Sequence, residues 1–240
     1  MTQPSQHASQ PAGSIESLYP FLYSGVTDAS VVLEQVRLST VAKAEEILQL
    51  RRAVRDAEGS RLLACARAMA ERFAAGGRLL AFGNGGSATD AQQLATLFLH
   101  PGGGATPLPA VSLASDAAVL TALSNDIGVD VVFARQVAAF GSKADIAVGL
   151  STSGNSENLL RAFDEASRRG MLTVGLAGYS GGKMGELDTI DYLFVAPSTS
   201  VHRIQEAQTT MYNVLWELCR AIVSANCAQA ELADPGMVAT

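Results

Sequence analysis

A chain of 240 residues can hold one domain with an extension and a large buried core. Hydrophobic residues make up 48% and charged residues 17%, and the formal net charge is −6 with no basic run. That balance argues against a nucleic-acid surface, because phosphate backbones are bound through clustered Lys and Arg.

Residues 1–13 are polar, with no cationic start and no apolar stretch of the signal-peptide kind, and read as a disordered tail. No apolar run reaches the roughly 18 residues of a membrane helix, so a cytoplasmic protein with no membrane partner is expected. The three cysteines, Cys65, Cys219 and Cys227, form neither a metal-type spacing nor an even disulfide set, and read as buried free thiols.

Residues 14–77 carry helical periodicity and no strand. Apolar residues recur through Val32, Val36, Leu38 and Val41, then Ile47, Leu48 and Leu50, and again through Leu62, Leu63, Ala66, Met69 and Phe73. Glu58-Gly59-Ser60 reads as a turn between two helices, and Gly76-Gly77 as the end of the second. From Arg78 the pattern changes. Short apolar runs at 79–82, 110–113, 146–150, 172–177 and 192–196 read as strands. Helical stretches at 90–99, 129–140 and 157–169 lie between them, and a last long helix spans about 202–225. Continuous apolar strands alternating with helices call for a parallel sheet covered on both faces, an α/β fold. Ligands on such a sheet sit beyond the carboxyl ends of the strands. Residues 78–228 are therefore expected to form the ligand-binding domain, with 229–240 a flexible tail.

The first strand ends in Gly83-Asn84-Gly85-Gly86-Ser87 and runs straight into a helix. Glycines admit a ligand close to the backbone, and the helix start offers free N–H groups to an anion. A tight turn with Ser87 as N-cap would use the same residues. Gly83, Gly85 and Ala88 also fit a dinucleotide fingerprint, but no acidic residue ends a second strand about 20 residues on. At Ser124-Asn125-Asp126-Ile127-Gly128 a polar turn separates two helical runs. Its Asn and Asp either bond their own backbone or reach a ligand's hydroxyls. The third strand ends in Ser151-Thr152-Ser153-Gly154-Asn155-Ser156, again at a helix start. Four hydroxyls, backbone amides and the helix dipole can hold a phosphate without any lysine, whereas an N-cap needs one hydroxyl.

Taken in register, these motifs resemble the SIS (sugar isomerase) domain family, and within it the phosphoheptose (sedoheptulose 7-phosphate) isomerases. The matching residues are GNGGS at 83–87, Asp90, SNDIG at 124–128, Phe133 with Arg135, STSGNS at 151–156, GGKM at 181–184 and RIQE at 203–206. The resemblance implies a five-stranded parallel sheet between helices. It also implies a homotetramer with N-terminal helices packed between subunits, and a site shared across an interface. Binding roles carry over to Asn84, Gly85, Gly86, Ser87, Asn125, Asp126, Ser151, Thr152, Ser153, Ser156 and Gln205.

The catalytic set does not carry over. Family isomerases hold zinc with a His and a Glu four residues apart on the helix after GNGGS, and with a Gln and a His eight apart on the last helix. The Glu is the base and the last His the acid. Here those positions are Gln93, Leu97, Gln205 and Asn213. Leucine cannot take a proton, and neutral amide oxygens suit zinc poorly. Isomerisation removes a proton beside a carbonyl and must stabilise an enediolate; a positioned base contributes about 10²–10⁴-fold, and a Lewis-acid metal several kcal/mol more. His202 and Glu206, at the start of the last helix, are the nearby titratable pair that could substitute, though His202 also reads as a surface residue of a helix cap. Asp116 follows the second strand. His7 and His100 have no partner at ligand spacing. Two functions follow: a non-catalytic phosphosugar-binding SIS protein with no cofactor, able to take a protein partner as the SIS protein associated with the bacterial replication initiator does, or a divergent sedoheptulose 7-phosphate isomerase. A dinucleotide-binding module ranks third.

Overall fold

The computed structural model describes residues 29–233, and the side chains of 30–226. The tail expected over 1–13, the start of the helical region to residue 28, and residues 234–240 lie outside the described residues. Two compact units part at Glu45 and Glu46. Residues 29–45, in the first, are helical, and 30–45 are exposed.

Helix α1 runs unbroken over Ala29–Ala74. The turn expected at Glu58-Gly59-Ser60 is therefore absent. Glycine inside a helix costs only about 1 kcal/mol relative to alanine, and a Cβ at Gly59 would meet nothing within 4 Å. Burial of Leu50, Val54, Leu62, Cys65, Ala66, Met69 and Phe73 on both sides of Gly59 outweighs that cost. The helix does end where Gly76, at φ 80°, turns the chain into the sheet.

The sheet is entirely parallel. It is built from β1 (Leu79–Gly83), β2 (Ala110–Ser112), β3 (Ile146–Leu150), β4 (Leu172–Gly178) and β5 (Tyr192–Ala196), in the order β2-β1-β3-β4-β5. The helices are α2 (Gly86–Leu99), α3 (Ala117–Ile127), α4 (Val132–Phe140), α5 (Glu157–Arg168) and α6 (Val201–Ala233). Short 3₁₀ turns lie at Val129–Val131 and Gly182–Glu186. All five strands stand where the apolar runs placed them, within one residue at each end. Three local readings change. The last helix, expected to end near 225, runs to Ala233. The polar turn expected at 124–128 belongs to α3 as far as Ile127, and the chain turns only at Gly128, at φ 95°. The helix after GNGGS begins at Gly86 with Gly85 as N-cap, so Ser87 sits buried in the first turn instead of capping it.

Alternation along the strands divides the core into two layers. Leu79 and Ala81 of β1, Ile146, Val148 and Leu150 of β3, and Leu172, Val174 and Leu176 of β4 face one layer with Phe73, Leu94, Phe98, Met211 and Tyr212. Leu80, Phe82 and Ala147 face the other with Phe133, Val137, Leu159 and Phe163. Helices α1, α2 and α6 thus cover one face of the sheet, and α4 and α5 the other. Phe133, one of the motif residues, is a core residue whose ring lies 5.6 Å from that of Phe82. Among the described residues no helix is long and apolar enough to cross a membrane.

Cys65 and Cys219 are free and fully buried in the α1–α6 layer. Burial pushes the Cys219 thiol up to about 12, and pushes Cys65 further in the same direction, with the neighbouring Cys219 adding to it. Both are therefore neutral thiols, not nucleophiles. Since the folded-state values are raised, their contribution to stability is intact below the ordinary thiol range and is lost as pH climbs toward 12. With Cys227 replaced by serine, native protein at pH 8 is expected to resist iodoacetamide and to take up two labels per chain only after unfolding in guanidinium. Labelling of the folded protein within minutes would contradict the packing.

Candidate functional site

The strand order places the site. From β1 the chain goes outward to β2, then crosses back past β1 to β3, so β1 and β3 are neighbours whose following helices leave on opposite faces. A crevice opens at such a switch point, beyond the carboxyl ends of the strands. The loops at those ends are 83–87 and 151–156, so the two motifs singled out by residue type are brought together by topology. Asn84 and Asn158, the latter in the first turn of α5, join them through a reciprocal amide pair of 2.9 and 3.0 Å.

In the loop 151–156 the three serine hydroxyls are gathered together. Ser151 Oγ lies 3.4 Å from both Ser153 Oγ and Ser156 Oγ, and accepts from the Gly154 N–H at 3.0 Å. Hydroxyl separations of 3.4 Å are long for O–H···O bonds, so these groups are free to re-aim at a ligand. Ser156 is the N-cap residue of α5, yet its hydroxyl makes no capping bond. The N–H groups of Thr152, Ser153 and Ser156 make no hydrogen bond among the described residues. Unpaired amides, gathered hydroxyls and the positive end of a 12-residue helix therefore converge. The far side of the loop is clamped by the 181–184 turn: Met184 N–H donates to Gly154 O and Lys183 N–H to Asn155 Oδ1, both at 2.9 Å. Gly154, at φ 67°, is required there, since a Cβ would stand 2.0 Å from the Gly181 carbonyl oxygen.

Helix α6 closes the site from the other layer. Gln205 Nε2 donates to Asp90 Oδ2 at 2.9 Å, and Tyr212 donates its O–H to Asp90 Oδ1 at 3.4 Å. Burial is the main cause that raises the Tyr212 phenol above its ordinary value. Gly86 leaves room for the Gln205 amide, which a Cβ would approach to 2.6 Å. One turn further, Gln208 is fully buried and donates Nε2 to the Ser151 carbonyl at 3.2 Å, while its Oε1 has no partner among the described residues. An unpaired buried acceptor of this kind costs about 1–3 kcal/mol.

The remaining expected residues lie apart. Asn125 and Asp126 are exposed at the end of α3 and bond to each other at 2.9 Å; among the described residues no hydrogen bond links them to either loop. His202 is exposed on the first turn of α6, and Glu206 is ion-paired with Arg203. Asp116 caps α3 through the Val119 N–H, and with Arg135 and Phe140 lines an apolar groove of about 800 Å³ beside β2. Gln93 is exposed, Leu97 packs against the α1–α6 core layer, and Asn213 Nδ2 donates back to Thr209 O at 2.8 Å. Asn158, Gln208 and Tyr212 escaped the sequence reading. Their only signal is a polar group on the inward face of a helix.

The pattern of the SIS domain family matches residues 44–178, more than half of the chain. The chain belongs to the SIS-domain family. Within it, a phosphoheptose isomerase of Pelodictyon phaeoclathratiforme is 42% identical over 197 residues, covering 81% of this chain and 91% of that one. One from Solidesulfovibrio magneticus is 46% identical over 161 residues, covering 65% and 75%. Among solved structures, phosphoheptose isomerase GmhA from Neisseria gonorrhoeae superposes with a TM-score of 0.72 at 33% identity, covering 78% of this chain and 99% of that one. This SIS protein is thus phosphoheptose isomerase-like in sequence and in fold. The family match begins inside α1 and ends at the last residue of β4, so it takes in both loops of the crevice but not α6.

Proposed function

We propose that this SIS protein binds a phosphorylated sugar without the zinc-dependent isomerase centre of phosphoheptose isomerases. The observation that carries the binding is the 151–156 loop, with gathered hydroxyls and free amides at the start of α5. A phosphomonoester there is held by hydrogen-bond donors and the helix dipole, and its sugar extends into the crevice beside Asn84, Gly85, Gly86, Ser87 and Gln205.

The residues at the family's zinc positions do not fit the metal. A catalytic zinc takes three strong protein ligands from Cys, His, Asp or Glu. Gln93, Leu97, Gln205 and Asn213 supply none. The Gln205 and Asn213 amides already bond Asp90 and Thr209, and the Leu97 hydrocarbon stands where the base belongs. His202 and Glu206 are poor substitutes, one exposed and the other held by Arg203. A second reading, a divergent sedoheptulose 7-phosphate isomerase, is favoured by the 42% identity to a protein of that name over 81% of the chain. Calorimetric titration tests the first: sedoheptulose 7-phosphate is expected to bind at one site per chain and to be displaced by inorganic phosphate. Absence of binding by either ligand would end it.

The assembly belongs to the same proposal. Val31, Val32, Leu33, Val36, Leu38, Val41 and Leu48 of α1 are each at least 40% exposed in the single chain. Such an apolar row is normally covered by another copy in a closed symmetric oligomer. Light scattering at micromolar concentration is expected to give the mass of four 25.0 kDa chains. A monomer would contradict it.

A further inference from the structure

We infer that Gln208 is a positioning residue of the phosphate cradle: its carboxamide fixes the peptide at which the 151–156 loop leaves the sheet. The inference rests on the phosphate-binding reading above. The ladder between β3 and β4 ends with the Ser151 N–H on Leu176 O, and among the described residues the Ser151 carbonyl has no backbone partner. Gln208 takes that carbonyl across 57 residues of chain. The Ser151 C=O and the Thr152 N–H belong to one planar trans peptide and point in opposite directions. Holding the carbonyl toward α6 therefore aims the Thr152 N–H away from α6, and that N–H is one of the cradle's free donors. The other end of the loop is already held, by Lys183 and Met184 on Asn155 and Gly154. Gln208 supplies the missing anchor at the near end.

Packing gives no reason for a carboxamide here. Ile204, Ala207, Met211, Tyr212 and Leu215 around it on α6 are all buried, and Gln208 itself is fully buried with Oε1 unpaired among the described residues. A leucine would fill the space and exchange the orphaned Oε1 for an orphaned Ser151 carbonyl. What the carboxamide adds is the bond to Ser151. Loss of that bond should thus show in ligand affinity more than in stability.

The test is calorimetric titration of inorganic phosphate and of sedoheptulose 7-phosphate into wild type, Gln208→Leu and Gln208→His, each paired with urea unfolding. In Gln208→Leu, affinity for both ligands is expected to fall about tenfold with little change in the unfolding midpoint, since losing one bond offsets removing one unpaired acceptor. Gln208→His, which keeps an N–H donor at similar reach, is expected to recover most of that loss. Gln208→Met replaces the leucine variant should that one not fold. Leucine-variant affinity within twofold of wild type would overturn the inference and leave the phosphate reading standing. So would a fall in affinity matched by a fall in midpoint that histidine does not recover. Wild type that binds neither ligand would overturn both.

Discussion

Replacing Ser153 by glutamate is expected to abolish phosphosugar binding. Ser153 is half-buried, its hydroxyl 3.4 Å from that of Ser151, and the neighbouring Asn155 N–H donates to it at 3.2 Å. A carboxylate at this position lies among the same donors that the phosphate needs, and takes them. It also sets two negative charges against each other: at about 4 Å and an effective dielectric near 20, the repulsion is about 4 kcal/mol. At about 1.4 kcal/mol per decade, that alone weakens binding by roughly three orders of magnitude. Ser153→Ala separates the two effects. It removes one charge-assisted hydrogen bond, about 1.5–3 kcal/mol, and is expected to bind about 10- to 100-fold more weakly. Unchanged affinity in the glutamate variant, read by calorimetry, would remove the cradle from the account.

The second large effect is a gain. The combined variant Gln93→His, Leu97→Glu and Asn213→His is expected to create a zinc site. Positions 93 and 97 are one turn apart on α2 and share a face. Helix α6 is tied to α2 by the Gln205–Asp90 bond, and Asn213 lies two turns beyond Gln205 on α6. Two imidazoles and a carboxylate make the three strong ligands a catalytic zinc requires. Without metal the variant is expected to melt below wild type, because Leu97→Glu places a carboxylate against the apolar layer that Leu97 now joins. Zinc at about a thousandfold above its Kd should return about 4 kcal/mol of stability. A melting temperature indifferent to zinc would show that α2 and α6 do not hold these positions in register.

The sheet was legible in the sequence because a strand buried on both faces is written as an uninterrupted apolar run, and 146–150 and 192–196 match β3 and β5 residue for residue. Helix ends were less legible. Gly59 reads as a stop, but an exposed glycine is a weak one when buried residues continue on both sides. Asn125 and Asp126 favour turns in isolation, yet α3 carries them through to Gly128, whose positive φ sets the real boundary. The crevice followed from two glycine- and serine-rich loops at strand ends. The side chains that brace it did not, because Asn84–Asn158, Gln205–Asp90 and Gln208–Ser151 pair residues 74, 115 and 57 apart. No local pattern encodes such partners, and only the packing of α5 and α6 against the sheet brings them together.

Phosphosugar binding without isomerisation by the family's route is tested most directly by incubating saturating sedoheptulose 7-phosphate with the purified wild-type protein, with and without added zinc, and following the aldose product over time, with binding confirmed on the same preparation. The result expected is saturable binding with turnover no faster than the protein-free control in either condition. Zinc-dependent turnover that disappears in Gln205→Ala would contradict it and establish an isomerase.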